Sequence, residues 1–205
     1  RGREDRPFVL TIAAADGARR RDLARVVIDA SGTFATPNPL GASGTPADSE
    51  GDCARFIDYG IPDVLGRDRA LHAGRSTLVV GAGHSAANVL LDLDRLRATA
   101  PGTRVTWATR GAIDRVLGGG DADQLPARGD LGRRLGALLA DGTIDHVAAF
   151  GATSVLADGD GIRIAGTRDG RPAEIGPFDR IVVATGQRPD HRMTGELRLD
   201  LDPGL

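Results

Sequence analysis

The sequence predicts an α/β fold in three layers, a parallel sheet with packed helices and a small β-meander. Three observations predict it. A fully apolar run, Thr77 to Val80, stops at Gly81-Ala82-Gly83 and turns into an alanine- and leucine-rich segment with helical spacing. A second strand-like run, Arg104 to Thr109, follows at the distance that completes a β-α-β unit. Farther on, short strand-like runs separated by Asp-Gly turns read as a meander.

Taken in order, Phe8 to Ala13 alternates as a strand does, Asp16-Gly17 supplies a turn, and Arg25 to Asp29 reads as a second strand of a hairpin. The Arg19-Arg20-Arg21 triplet beside Asp16 and Asp22 reads as a solvated turn. Prolines and glycines between Ala30 and Gly41 exclude regular structure there, and residues 41–76 read as a polar connector. Thr77 to Val80 has no polar face, as a buried parallel strand requires. Ser85 to Arg97 reads as a helix. Its residues Ala86, Val89, Leu90, Leu93 and Leu96 form one stripe, and Asp92, Asp94, Arg95 and Arg97 lie off it. Residues 111–127, with Gly118-Gly119-Gly120 and Pro126, read as a mobile loop. Leu131, Leu135, Leu138 and Leu139 mark a second amphipathic helix closed by Asp141-Gly142. Ile144 to Phe150, Thr153 to Ala157 and Gly161 to Ala165 read as the short strands, with turns at Asp158 to Gly161 and at Asp169-Gly170. Phe178 to Gly186 returns to an apolar strand.

Two strand ends echo each other: Val26-Val27-Ile28-Asp29-Ala30-Ser31-Gly32 and Ile181-Val182-Val183-Ala184-Thr185-Gly186. Each runs from an apolar stretch through Ala and a hydroxyl residue to Gly, and each exits through proline. One task done twice, stopping a strand beside a nucleotide, accounts for the echo better than a repeat does.

Bulk composition narrows the functional classes. The net charge of the 205 residues is −2, with no long basic run, which argues against nucleic acid as a partner. The single cysteine, Cys53, forms no internal disulfide and no Cys-x-x-Cys pair, and reads as a bystander thiol. No apolar stretch approaches the roughly 20 residues that span a bilayer. The first residues, Arg-Gly-Arg-Glu-Asp-Arg-Pro, show no signal peptide, so a cytoplasmic location is expected. His72, His146 and His191 lack metal-ligand spacing with Cys, Asp or Glu, and no metal site is expected.

Gly81-Ala82-Gly83-His84-Ser85-Ala86 carries the chemistry. Gly81 suits the tight turn out of the strand, Gly83 lets backbone approach a pyrophosphate, and Ala86 lets the helix lie close on the sheet. The helix N-terminus offers free N–H groups and a positive dipole to phosphates, and Ser85 adds a hydroxyl there. This makes the domain Rossmann-like and NAD(P)-binding. His84 faces either the nicotinamide side of the cleft or solvent, and Asn88 either the cleft or its own helix. The second strand ends Thr109-Arg110, with no carboxylate before Asp114. An NAD site usually places an acid there, whereas arginine suits a 2′-phosphate. Thr109 and Arg110 therefore favour NADPH over NADH. Ala184-Thr185-Gly186 contributes backbone geometry, since a strand ending in Gly passes close over a ligand. No catalytic residue is assigned.

The order of these motifs resembles the two-dinucleotide-binding flavoproteins, which include flavin-containing monooxygenases and reductases of the pyridine nucleotide-disulfide type. Ala30 to Gly41 looks like the family's first exit from its FAD domain, with Ser31 where Thr is usual. Leu78 to Ala86 looks like the NADPH fingerprint of the monooxygenase branch, and Ala184 to Asp190 like the crossover back. The resemblance implies partial FAD-domain segments over 1–74, an NADPH-binding domain over 75–184 and a return segment over 185–205. In this reading the chain is the middle of something larger, flanked by parts of an FAD-domain sheet. The fingerprint for FAD itself is absent, so the segment alone is expected to bind flavin poorly and to be inactive. The implied function is FAD-dependent, NADPH-using, monooxygenase-like oxidation of a small organic substrate, with a homodimer as candidate assembly. The alternatives are a flavin-dependent reductase of a quinone, a low-molecular-weight disulfide or a protein, and a non-catalytic nucleotide-binding module.

Overall fold

The computed structural model describes residues 2, 5–118, 125–159 and 161–200. The chain divides into two units, 1–32 and 33–205. In the first, β1 (Phe8–Ala13) and β2 (Arg19–Ala24) form an antiparallel hairpin. The turn lies at Asp16-Gly17, as expected. Asp16 Oδ1 accepts the Ala18 N–H at 2.9 Å, and Gly17 takes φ +85°. The second strand is not Arg25–Asp29. Ala13 pairs with Arg19, so the register assigns the partner strand to the residues just after the turn, the arginine triplet included. Residues 25–29 fall beyond the end of β1 and are not a strand.

The second unit contains β3 (Ile57–Tyr59), α1 (Arg69–His72), β4 (Ser76–Val80), α2 (His84–Thr99), β5 (Arg104–Ala108), α3 (Asp114–Leu117), α4 (Pro126–Ala140), β6 (Asp145–Val147), β7 (Phe150–Asp158), β8 (Gly161–Arg168), β9 (Arg171–Phe178) and β10 (Arg180–Val183). The parallel sheet has the order β3-β10-β4-β5-β6, and β7-β8-β9 form a separate antiparallel meander. Strand alternation divides the parallel sheet between two cores. Val79, Val105, Trp107 and Val182 pack with α2 and α4, together with Leu90, Leu93, Leu96 and Leu135. Leu78, Ile181 and Val183 pack with Phe150, Val155, Ile162 and Ile164 of the meander. The three layers are thus helices, parallel sheet and meander. Burying each such side chain is worth about 1.5–3 kcal/mol, which makes these two seams the main source of stability.

The helices follow the periodicity. Every residue of the predicted α2 stripe is fully buried, while Asp92–Arg95 and Asp94–Arg97 pair on the open side at 2.7 and 2.9 Å. In α4, Leu135 is buried, and Leu131, Leu138 and Leu139 pack against the same core.

Three local expectations change. The connector 41–76 supplies β3, whose Ile57, Asp58 and Tyr59 pair with β10, and the short helix α1. Three residues are too few to show a period, and the partner strand is supplied from far along the chain. Ile144 to Phe150 is not one strand. β6 joins the parallel sheet, Ala149 takes φ +55°, and Phe150 opens the meander. Within the segment read as a loop, α3 forms because Ile113 and Leu117 pack on the helical core. A Cβ on Gly132 of α4 would collide with the Leu117 carbonyl, so the two helices meet backbone to backbone there. Gly119, Gly120 and Asp160 of the predicted turns lie outside the described residues.

Candidate functional site

Strands β10, β4 and β5 end side by side, and the sequence-predicted residues gather at those ends. Gly81 takes φ +133°, and a Cβ there would lie 2.3 Å from the Ala184 carbonyl oxygen, so only glycine fits. Ala184 in turn donates its N–H to the Val80 carbonyl at 2.8 Å, and Gly81 donates to the Ala108 carbonyl at 3.1 Å. The turn is thereby stitched to strands on both sides. Trp107 adds a third tie, its buried indole N–H donating to the Gly81 carbonyl at 2.7 Å. A buried tryptophan N–H needs an acceptor, and this one uses the carbonyl that the turn would otherwise leave unpaired.

Gly83 is the N-cap of α2, without a side-chain cap and with no acidic residue in the first turn. A Cβ on Gly83 would meet nothing within 4 Å among the described residues, so space lies open over the helix N-terminus. The positive end of a 16-residue helix therefore faces that space uncompensated by side chains of its own. Ala82 and Ser85 are half-buried, His84 is exposed, and Ala86 is fully buried against the sheet. The Asn88 amide donates to the His84 carbonyl at 2.9 Å, which resolves that side chain in favour of its own helix.

At the end of β5, Thr109 and Arg110 diverge. Thr109 is fully buried, with its hydroxyl 3.0 Å from His146 Nε2. Burial and the charge of Arg168 hold the His146 imidazole below its ordinary pKa, which favours the neutral ring beneath Thr109. Arg110 is exposed, and its guanidinium donates to the Ala42 carbonyl. Among the described residues one of its five donors is engaged, which leaves the rest of the fork for an anion.

Ala184-Thr185-Gly186 is woven to the segment before Gly41. Asn38 donates its amide to the Thr185 carbonyl at 3.1 Å and its backbone N–H to the Gly186 carbonyl at 2.9 Å. Arg188 Nε donates to Asn38 Oδ1 at 2.9 Å, and its terminal nitrogen donates to the Gly44 carbonyl. Thr33 and Gln187 join side chains at 3.0 Å. The sequence reading did not single out Asn38 or Trp107. A lone tryptophan in an apolar strand was a usable signal, because its N–H demands a buried acceptor. Asn38 acts on residues 147 and 150 positions away and carries no local signature.

The opposite end of the sheet borders a cavity of about 240 Å³ lined by Arg55, Phe56, Leu71, Phe178 and Arg180. There Arg180 bridges the Arg55 carbonyl and Asp58 at 2.6 Å each, and buried His72 contacts Thr77 at 3.1 Å.

No protein-family model matches the chain, and no curated protein matches it. Solved structures do resemble it. A bacillithiol disulfide reductase from Bacillus cereus aligns at TM-score 0.66 and 20% identity, over 96% of this chain and 51% of that one. The FAD-bound cadaverine monooxygenase of desferrioxamine biosynthesis from Erwinia amylovora aligns at 0.67 and 16%, over 97% and 54%. The fold is that of flavoprotein monooxygenases and reductases. An ornithine N-hydroxylase from Kutzneria, with reduced FAD, NADP+ and L-ornithine, aligns at 0.60 and 18%, over 93% and 52%. The chain spans about half the length of the solved structures it matches.

Proposed function

We propose that this chain supplies the NADPH-binding part of an FAD-dependent, monooxygenase-like oxidoreductase acting on a small organic substrate in the cytoplasm. The supporting observation is the glycine turn fixed between three strand ends, with open space at Gly83 and Arg110 at the neighbouring strand end. Gly81 holds the turn, and backbone N–H groups at Gly83, His84 and Ser85 take the pyrophosphate at the positive end of α2. Ala86 keeps that helix close to the sheet. Arg110 meets the 2′-phosphate, and Thr109, with its hydroxyl turned to His146, keeps the strand end in place beneath it. Ala184, Thr185 and Gly186 form the adjacent wall. The bound nicotinamide supplies hydride, which a flavin accepts in enzymes of this kind. These residues hold the donor and set its orientation, and the oxidative chemistry belongs to the flavin.

Arg110→Ala tests the assignment. Losing a charge-assisted contact of about 1.5–3 kcal/mol weakens NADPH binding roughly ten- to hundredfold and leaves NADH binding nearly unchanged. Calorimetric titration of the whole protein with each nucleotide reads this directly, and equal losses for both remove Arg110 from the site. A second reading, a flavin-dependent reductase of a low-molecular-weight disulfide, draws support from the likeness to the bacillithiol disulfide reductase. NADPH consumption that persists without oxygen when such a disulfide is supplied favours that reading. Consumption that requires both oxygen and an amine-bearing substrate favours the first.

A further inference from the structure

Glu50 is 2% exposed, and both its carboxylate oxygens are engaged. Oε1 accepts the Leu40 N–H at 2.9 Å and the Tyr59 hydroxyl at 2.6 Å, and Oε2 accepts the Ala47 N–H at 2.7 Å. One acid therefore fastens both ends of the loop 40–47 to each other and to the last residue of β3. A buried carboxylate is costly unless donors surround it, and here three do. Nothing in simple packing requires an acid at that position, since the neighbouring core is apolar.

The clamped loop is compact and oriented. Gly44 donates to the Gly41 carbonyl at 3.0 Å, and Ala42 donates to the Ala152 carbonyl of β7 at 2.9 Å. A Cβ on Gly41 would lie 2.1 Å from the Thr45 carbonyl oxygen, so the loop folds tightly on itself. With its N–H tied to β7, Ala42 turns its carbonyl to Arg110. Arg110 is otherwise a long, exposed side chain just past a strand end. Its guanidinium is placed by that one carbonyl, and the carbonyl is placed by the loop.

We propose that Glu50 is a positioning residue for cofactor specificity: by clamping the loop 40–47 it holds the Ala42 carbonyl that presets Arg110 for a 2′-phosphate. The proposal rests on the NADPH reading above. Glu50 touches no nucleotide, and it acts through the loop. A preset arginine loses less freedom on binding than a free one, so the clamp raises affinity for the phosphorylated cofactor and not for its counterpart.

Glu50→Gln is the test. An amide accepts on one side only, so one of the two clamped N–H groups loses its partner. The whole protein is titrated calorimetrically with NADPH and with NADH. The expected result is a roughly tenfold weaker Kd for NADPH, with NADH changed less than about twofold. In the Arg110→Ala background, Glu50→Gln adds nothing further, because both act through one contact. Parallel losses for both nucleotides overturn the proposal by showing a merely structural role, and so does an unchanged preference. If Arg110→Ala itself leaves the preference intact, the NADPH reading fails instead, and the two failures are told apart. Should Glu50→Gln not fold, Tyr59→Phe removes one clamp contact while both backbone contacts remain. A selective loss of about threefold for NADPH supports the proposal, and no selective loss overturns it.

Discussion

The segments 26–32 and 181–186 read almost alike, yet the fold treats them oppositely. Ile181, Val182 and Val183 form a strand with parallel partners on both sides and are at most 1% exposed. Val26 and Ile28 are 75% and 86% exposed, and their segment joins no ladder among the described residues. Apolar β-branched sequence is common to both. The difference is neighbours: β3 and β4 supply β10 with hydrogen bonds along both edges, and two apolar layers cover its faces. A β-pattern states what a segment tolerates, and its ladder partners decide what it becomes.

This contrast can be broken or sharpened by measurement. The largest effect belongs to the turn beside β10. Gly81→Ala forces a Cβ onto the Ala184 carbonyl at positive φ, and strain plus overpacking predict a loss of about 4 kcal/mol in urea unfolding. A loss under about 1 kcal/mol would show that β10 and the turn are not locked together. Ile181→Ala removes a fully buried side chain and should cost about 3 kcal/mol in the same assay. Asn38→Ala breaks the ties to Thr185 and to Arg188 and should cost about 1 kcal/mol.

A smaller effect depends on pH. The folded His146 imidazole lies below its ordinary 6.5, so the unfolded chain takes up a proton first as pH falls. The stability contributed by the neutral ring is complete above about pH 6.5 and is lost toward the lower, folded value. Thermal melting between pH 7 and 5 should show this decline, and His146→Asn should flatten it. Identical slopes in the two proteins count against the assignment. The smallest effect is Ile28→Ala, expected to stay within about 0.5 kcal/mol. If Ile28→Ala costs as much as Ile181→Ala, the contrast between the two segments is gone.

Much of the fold was legible because it is written locally. The α2 stripe, the apolar β4 and the glycine turn each declare themselves within one or two turns of chain, and each stands where expected. The hairpin failed on register: Ala13 opposite Arg19 is set by the turn, and the apolar content of 25–29 could not override it. At the site, Gly81 was assigned to the turn, but its contact with Ala184 comes from more than a hundred residues away and left no trace beside it. The place of Arg110 just after a strand was readable, and its role toward a phosphate is the proposal made above. Its anchor on Ala42, 68 residues distant, was not readable, nor was the acid that steadies that anchor. Thr109 shows the limit most plainly, because its residue type suits a ligand while its surroundings direct it to His146.

The place of β10 has a consequence for how the molecule is made. Ser76 at the start of β4 donates its N–H to Asp179, 103 residues later, just before the strand that fills the gap between β3 and β4. A ribosome delivers β3 and β4 long before their shared neighbour, and the nascent sheet carries an open slot until residues 180–183 emerge. Closing that slot joins strands that are distant in sequence, a slow step by its entropy. Until then both strands show unpaired edges, which is the interval in which a growing chain of this design is most exposed to wrong partners.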